Sequence, residues 1–179
     1  MVIKAWFMRH DYTDPREMNH YTIPRIVPLD YLTSIGVQYI HIPVEGEHQK
    51  VMDFAKQHDY TSHDIITINK ECLPDYEDKL KCFFTEHLHT DDEVRYTIEG
   101  SGYFDVRDKD DQWIRIHVYP GDLLVLPAGI YHRFTVDTAN NVKVIRLYMD
   151  APKWKAYNRD EQVDTMQIRH DYLNRTKCR

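Results

Sequence analysis

From residue 87 to residue 150 the chain is cut into short runs by clusters of turn residues. Gly100-Ser101-Gly102, Asp108-Lys109-Asp110-Asp111, Pro120-Gly121-Asp122, Pro127-Ala128-Gly129 and Thr138-Ala139-Asn140-Asn141 separate apolar stretches at 103–106, 113–118, 123–126, 130–136 and 142–149. Pieces this short leave no room for helices of normal length. Their period is two: Ile114, Ile116 and Val118 fall on one face of an extended chain. Short strands spaced by Gly, Pro, Asn and Asp at this pace pack as an antiparallel sandwich or barrel. The expected class is therefore mainly β.

Residues 1–86 read as mixed or helical. Pro28 opens a short helix over 29–35 that stops at Gly36. A polar helix over 45–58 places Val51, Phe54, Ala55 and His58 on one face. After Pro74-Asp75, Tyr76, Leu80, Phe83 and Phe84 recur at i, i+4, i+7 and i+8, a helical stripe. With 179 residues and neither repeat nor linker, the expectation is one domain: an N-terminal part over 1–86, a β core over 87–150 and a C-terminal extension over 151–179. The end of that extension, 174–179, reads as a frayed tail.

Charge narrows the partners. Twenty-three Lys and Arg against 29 Asp and Glu give −6 at pH 7, which repels a phosphate backbone, so nucleic acid is not expected. The most apolar stretch, 123–130, is interrupted by Pro127 and Gly129. It falls far short of the ~20 residues that span a bilayer. Cys72, Cys82 and Cys178 are odd in number and widely spaced, which argues against a disulfide framework and for a reducing compartment. They read as inert buried or tail thiols. The first eight residues lack the basic and apolar regions of a signal peptide, so the expected location is the cytoplasm, with the nucleus open to a chain of this size.

The chemistry concentrates in two segments. The first is His87-Leu88-His89-Thr90-Asp91-Asp92-Glu93-Val94-Arg95. On an unbroken strand His87, His89, Glu93 and Arg95 share one face. Two imidazoles two residues apart can reach one cation, and Glu93 can close the site if the chain bends around Asp91-Asp92. Two histidines and a carboxylate with open positions form the pattern of a non-haem Fe(II) oxygenase. The second segment, Gly121 through Pro127 to His132, reads G-x5-P-x4-H. Gly121 permits a tight turn, Pro127 ends a strand, and His132 starts the next one, within reach of the first segment.

Together these two segments resemble the paired motifs of the cupins, small double-stranded β-barrels of jelly-roll type. Glu93 is followed after six residues by Gly100, as in the cupin pattern, whereas Lys81 stands where a Gly is usual at the entry to the strand. Residues 87–107, with the string Gly100-Ser101-Gly102-Tyr103-Phe104-Asp105-Val106-Arg107-Asp108, and residues 126–135 resemble the acireductone dioxygenases of methionine salvage, and a weaker likeness runs from Trp6 to about Tyr157. The resemblance implies a cupin barrel with a few flanking helices in the N-terminal half. It implies one Fe(II) or Ni(II) per chain, bound by His87, His89, Glu93 and His132. Phe83 and Phe134 would flank the substrate, and Arg95 and Arg146 would bind it and act in catalysis. The partners implied are a small acireductone and O2, with the chain acting as a monomer.

Several of these residues have plainer readings. Phe83 belongs to the helical stripe and serves core packing equally well. Arg95 can be an ion-pair partner of Glu93 or Asp91. Arg146 is an isolated charge in the apolar run 142–149, and a charge facing inward calls for a reason. His117, between Ile116 and Val118, reads as a surface or packed sheet residue. His10, His20, His41, His48, His58, His63 and His170 lack ligand spacing and read as surface residues. Asp108 to Asp111 reads as a solvated turn. Two other functions fit the same barrel: an isomerase or epimerase acting on a sugar phosphate, and a non-catalytic cupin stabilised by its metal.

Overall fold

The structure is a computed structural model and describes residues 4–151 and 155–177. Two antiparallel sheets face each other. The six-stranded sheet runs in the order β1 (Lys4–Phe7), β7 (Trp113–Val118), β6 (Gly102–Arg107), β9 (His132–Val136), β4 (His87–Leu88) and β11 (Tyr157–Asn158). The five-stranded sheet runs β2 (Gln38–His41), β8 (Asp122–Leu126), β5 (Glu93–Gly100), β10 (Val142–Tyr148) and β3 (Ser62–Ile68). This is the jelly-roll arrangement expected of a cupin, with helices α1 (Leu29–Ser34), α2 (Glu47–Gln57) and α3 (Tyr76–Phe84) in the N-terminal half.

The space between the sheets is filled by inward residues of both. Phe104, Val106, Ile114, Ile116, Phe134 and Val136 meet Leu124, Leu126, Val142 and Val144 there. Each buried aliphatic or aromatic side chain contributes about 1.5–3 kcal/mol relative to exposure. Both outer faces are covered as well. Val51, Phe54 and Ala55 of α2 lie on Val94, Tyr96, Leu123, Val125, Ile145 and Leu147, the outer face of the five-stranded sheet. That second layer explains why 123–126 and 142–148 are nearly continuous apolar runs rather than alternating ones.

The outer face of the six-stranded sheet carries a buried charge cluster under the N-terminal segment. Arg115 Nε donates to Asp105 at 2.7 Å and Arg133 Nε to the same carboxylate at 2.9 Å. Arg115 also donates to the carbonyls of Pro15 and Glu17, which pins the loop over the sheet. One shared carboxylate and carbonyl acceptors make this burial tolerable for guanidinium groups.

The turn string positions the site directly. Gly100 has φ +69°, and a Cβ there would lie 2.0 Å from the carbonyl oxygen of Asn141, so only glycine fits. Gly102 passes so close to the Phe134 ring that a Cβ would sit 3.0 Å from two of its atoms.

Several expectations need correction. The N-terminal part is mixed rather than helical: besides α1, α2 and α3 it contributes β1, β2 and β3 to the two sheets. The segment from His87 is not one strand: β4 ends at Leu88 and β5 begins at Glu93, on the other sheet. The C-terminal extension ends in helix α5 (Gln167–Lys177), after the short α4 (Glu161–Asp164), rather than in a frayed tail. Tyr172 of α5 is buried, with its hydroxyl donating to the Ile35 carbonyl at 3.0 Å. Cys72 and Cys82 are exposed rather than buried; Cys178 lies outside the described residues. The turn at 108–111 is only partly solvated, because buried Asp108 accepts from the backbone of Asp110 and Gln112 and from Tyr31. His117 is a packed sheet residue, as one of its two readings had it.

Candidate metal centre

Strand pairing brings the first two imidazoles together. His87 of β4 is the direct partner of His132 of β9. Antiparallel partners place their side chains side by side on one face, and the two rings are 4.5 Å apart, centre to centre. Leu88 points outward into a small cluster with Tyr131 and Val163. His89 therefore returns to the inner face, its ring 4.9 Å from His87 and 5.3 Å from His132.

Between His89 and Glu93 the chain crosses from one sheet to the other. The crossing is held by two backbone contacts: Gly129 N donates to the His89 carbonyl at 3.0 Å, and Ala128 N donates to Asp92 Oδ1 at 2.8 Å. Glu93 thus reaches the imidazoles from the opposite sheet. This is the bend that the spacing H-x-H-x3-E required. Among the described residues, His87, His89, Glu93 and His132 form the group whose ligand atoms lie within 4.8 Å of one another.

The hydrogen bonds define which ring nitrogen faces inward. His87 Nδ1 lies 2.7 Å from the Thr85 carbonyl, His89 Nδ1 2.8 Å from the Lys155 carbonyl, and His132 Nδ1 3.0 Å from the Ile130 carbonyl. A carbonyl only accepts, so each Nδ1 carries a proton and each ring turns its Nε2 inward. Those of His132 and His89 lie 2.9 and 3.2 Å from Glu93 Oε2. Lone pairs set against a carboxylate repel unless a proton or a metal cation lies between them. Three imidazole nitrogens and one carboxylate oxygen suit a divalent first-row ion, so the donor set fits the group it would hold.

Burial and charge reinforce this. Burial, with His132 close by, pushes His87 down to about 3, so its ring is neutral at physiological pH. Burial opposes a charge on His89 as well, but Glu93 outweighs it and lifts the group above its ordinary value. Glu93 is held well below the usual carboxylate range: burial works against its charge, and Arg95 and His132 favour it.

The four groups line a cavity of about 570 Å³. Phe83, Phe104, Phe134, Ile66, Ile68 and Val144 form its apolar wall. The Phe134 ring stands 6.5 Å from that of Phe83 and 4.8 Å from that of Phe104. Phe83 both packs on the core and lines the cavity. Arg95 also lines the cavity, with Nη2 3.2 Å from Glu93 Oε1. Arg146 lines it too, but it is not an isolated charge. Its Nε and Nη2 donate to the two oxygens of Asp64 at 2.7 and 2.9 Å.

Sequence reasoning missed Asp64, Ile66 and Ile68. The alternation Asp64, Ile66, Ile68 was a usable strand signal, hidden within a region that otherwise reads as helical. It also missed the Lys155 carbonyl, since backbone acceptors leave no trace in residue type.

A family model described as the ARD/ARD′ family matches residues 4–156. The chain is 46% identical over 175 residues to acireductone dioxygenase of Xenopus tropicalis, covering 96% of each. It is 45% identical over 174 residues to that of Homo sapiens, again covering 96% of each. Among solved structures it resembles acireductone dioxygenase from Bacillus anthracis, which has a cadmium ion in its active centre, with TM-score 0.70 and 21% identity over 87% of this chain and 97% of that one.

Proposed function

The chain belongs to the ARD/ARD′ family, and from that premise we propose that it catalyses the O2-dependent cleavage of an acireductone in methionine salvage, at one ion held by His87, His89, Glu93 and His132. The observation that carries this reading is the orientation of the rings: three Nδ1–H groups are tied to backbone carbonyls, and the Nε2 atoms are turned toward Glu93. When bound by these four residues, Fe(II) or Ni(II) would supply the positive charge that stabilises an enediolate.

The chain's own residues do the rest. Three neutral imidazoles and one carboxylate bring a single negative charge to the ion, so an anionic substrate is still attracted. The guanidinium groups of Arg95 and Arg146 hold the substrate's oxygens and favour its ionised form. Phe83, Phe104 and Phe134 exclude water beside the reacting carbons, and the apolar wall receives the thioether tail. An isomerase of a sugar phosphate is less well served, because the wall formed by Phe83, Phe104, Phe134, Ile66, Ile68 and Val144 suits an apolar tail better than a phosphate.

The overall reaction breaks one carbon–carbon bond in the iron form and two in the nickel form, and both atoms of O2 enter the products. With iron the products are 4-methylthio-2-oxobutanoate and formate; with nickel they are 3-methylthiopropanoate, formate and carbon monoxide. The donor set suits both ions, so the metal available in the cell selects the outcome. All four donors come from one chain, so a monomer suffices. The cytoplasm suits the exposed thiols of Cys72 and Cys82, which stay reduced there.

The test is to strip the protein, reload it separately with Fe(II) and Ni(II), and analyse products under air. The oxo acid without carbon monoxide is expected from the iron form and carbon monoxide from the nickel form. An acireductone left unconsumed by both forms would overturn the proposal.

A further inference from the structure

The ligand strand β4 has two neighbours. On one side lies β9, which carries His132; on the other lies β11, from the C-terminal extension. Tyr157 pairs with Leu88 and Asn158 with His87. Just before β11, the carbonyl of Lys155 accepts the Nδ1–H of His89 at 2.8 Å. The other two rings are served by carbonyls two residues from themselves, Thr85 for His87 and Ile130 for His132. His89 alone of the three depends on a chain segment 66 residues away.

Besides the pairing of β11 with β4, that segment is fastened by the side chain of Arg159. Arg159 Nη1 donates to Glu86 Oε1 at 2.8 Å and to Asp111 Oδ1 at 2.7 Å, while its backbone N donates to the Glu86 carbonyl at 3.0 Å. Glu86 is itself gripped by Arg107, whose Nε and Nη2 reach its two oxygens at 3.0 and 2.9 Å. The guanidinium of Arg159 also lies 4.6 Å from the centre of the Tyr131 ring. Two carboxylates, an aromatic face and a strand pairing thus fix residues 155–159 against the residue that precedes the first ligand.

We propose that residues 155–159 are a working part of the metal centre, and that Arg159 is its positioning residue. Clamped on Glu86 and Asp111, Arg159 holds the Lys155 carbonyl where it sets the tautomer and the plane of the His89 ring. A hydrogen bond at the far nitrogen of a ligating imidazole raises its basicity and stops its rotation, and losing such a partner typically costs about 10–100-fold in metal affinity. The inference rests on the reading of His89 as a ligand. It extends the centre past residue 156, where the match to the family model ends.

The experiment uses the full-length protein, stripped and titrated with Ni(II) alone against a competing chelator. Melting of the metal-free form is followed in parallel. The imidazole Nδ1–H signals are recorded by NMR on the Zn(II)-loaded form. Arg159→Gln is expected to weaken Ni(II) binding by about 10–100-fold and to remove the protected Nδ1–H of His89, leaving those of His87 and His132. Asp111→Asn removes one of the two carboxylates on Arg159 at an exposed turn, and serves if the first variant does not fold; several-fold weaker binding is expected. Wild-type Ni(II) affinity in a folded variant overturns the proposal, however far its melting temperature falls, because that is what a purely structural clamp would give. Weaker binding with the His89 signal intact also overturns it. Wild-type protein that takes up no Ni(II) overturns the ligand reading, and this inference with it.

Discussion

Asp64 and Arg146 face each other across β3 and β10 as direct strand partners, and their side chains meet as a two-point ion pair at 2.7 and 2.9 Å. On its other flank Arg146 is the strand partner of Arg95. Two guanidinium groups side by side repel, and the Asp64 carboxylate offsets that repulsion while fixing the plane of the Arg146 fork.

Replacing Asp64 by Ala should therefore act through Arg146. A reduction of roughly tenfold in kcat/KM for the acireductone is expected, as for a charged group released from its productive orientation. Metal content should stay at the wild-type level, since neither residue is in the ligand group. Arg146→Ala should cost at least as much, and the double variant no more than Arg146→Ala alone. Steady-state kinetics on the three variants checks this, and additive losses would contradict it.

Gly102→Ala tests how the turn string supports the cavity. The added methyl would meet the Phe134 ring at 3.0 Å and the Thr135 carbonyl at 2.9 Å, so the ring must move. The expected outcome is a higher KM with the full metal content retained. Unchanged KM would show that the Phe134 ring does not bear on the substrate.

Asp105→Ala leaves Arg115 and Arg133 without their shared carboxylate, in a place where Arg115 is fully buried. Breaking a buried ion pair on one side typically costs about 3–5 kcal/mol. Chemical denaturation should show a loss of that order. Whatever fraction remains folded should bind metal normally, because this cluster lies on the outer face of the sheet.

Much of the site could be read in the sequence because its chemistry sits on side chains with regular spacing. His87 and His89 share a face by parity, and Gly121, Pro127 and His132 mark the end of one strand and the start of the next. The strands β6 to β10 were legible for the same reason: each is bounded by turn residues whose backbone preferences are strong. What stayed hidden was long-range. β1 and β2 are four residues each, too short for a period to declare itself, and they become strands only by pairing with β7 and β8. Residues 62–68 carry the alternation of a strand, yet Ile65 is exposed on the polar side, which blurs it. Arg146 looked solitary because its partner is 82 positions away. The helical end of the chain was lost because α5 packs through only a few residues, Tyr172 chief among them.

Glu93→Gln separates the role of the carboxylate from its shape. The amide keeps the size but loses the charge that faces His89, His132 and Arg95. The expected result is metal affinity reduced by at least about tenfold and loss of turnover at metal concentrations that saturate the wild type. Chelator competition with Ni(II) provides the measurement, and wild-type affinity would contradict the placement of Glu93 among the ligands.

The most direct test of the account titrates stripped protein with Fe(II) under air while the enediolate absorbance of the acireductone is followed. Four donors converging from two sheets on a single ion predict that the rate climbs in proportion to added iron and levels off near one equivalent per chain. His132→Ala should stay at the background rate over the same range. Consumption of the acireductone by the stripped protein at the full rate, or by His132→Ala as fast as by the wild type, would contradict it.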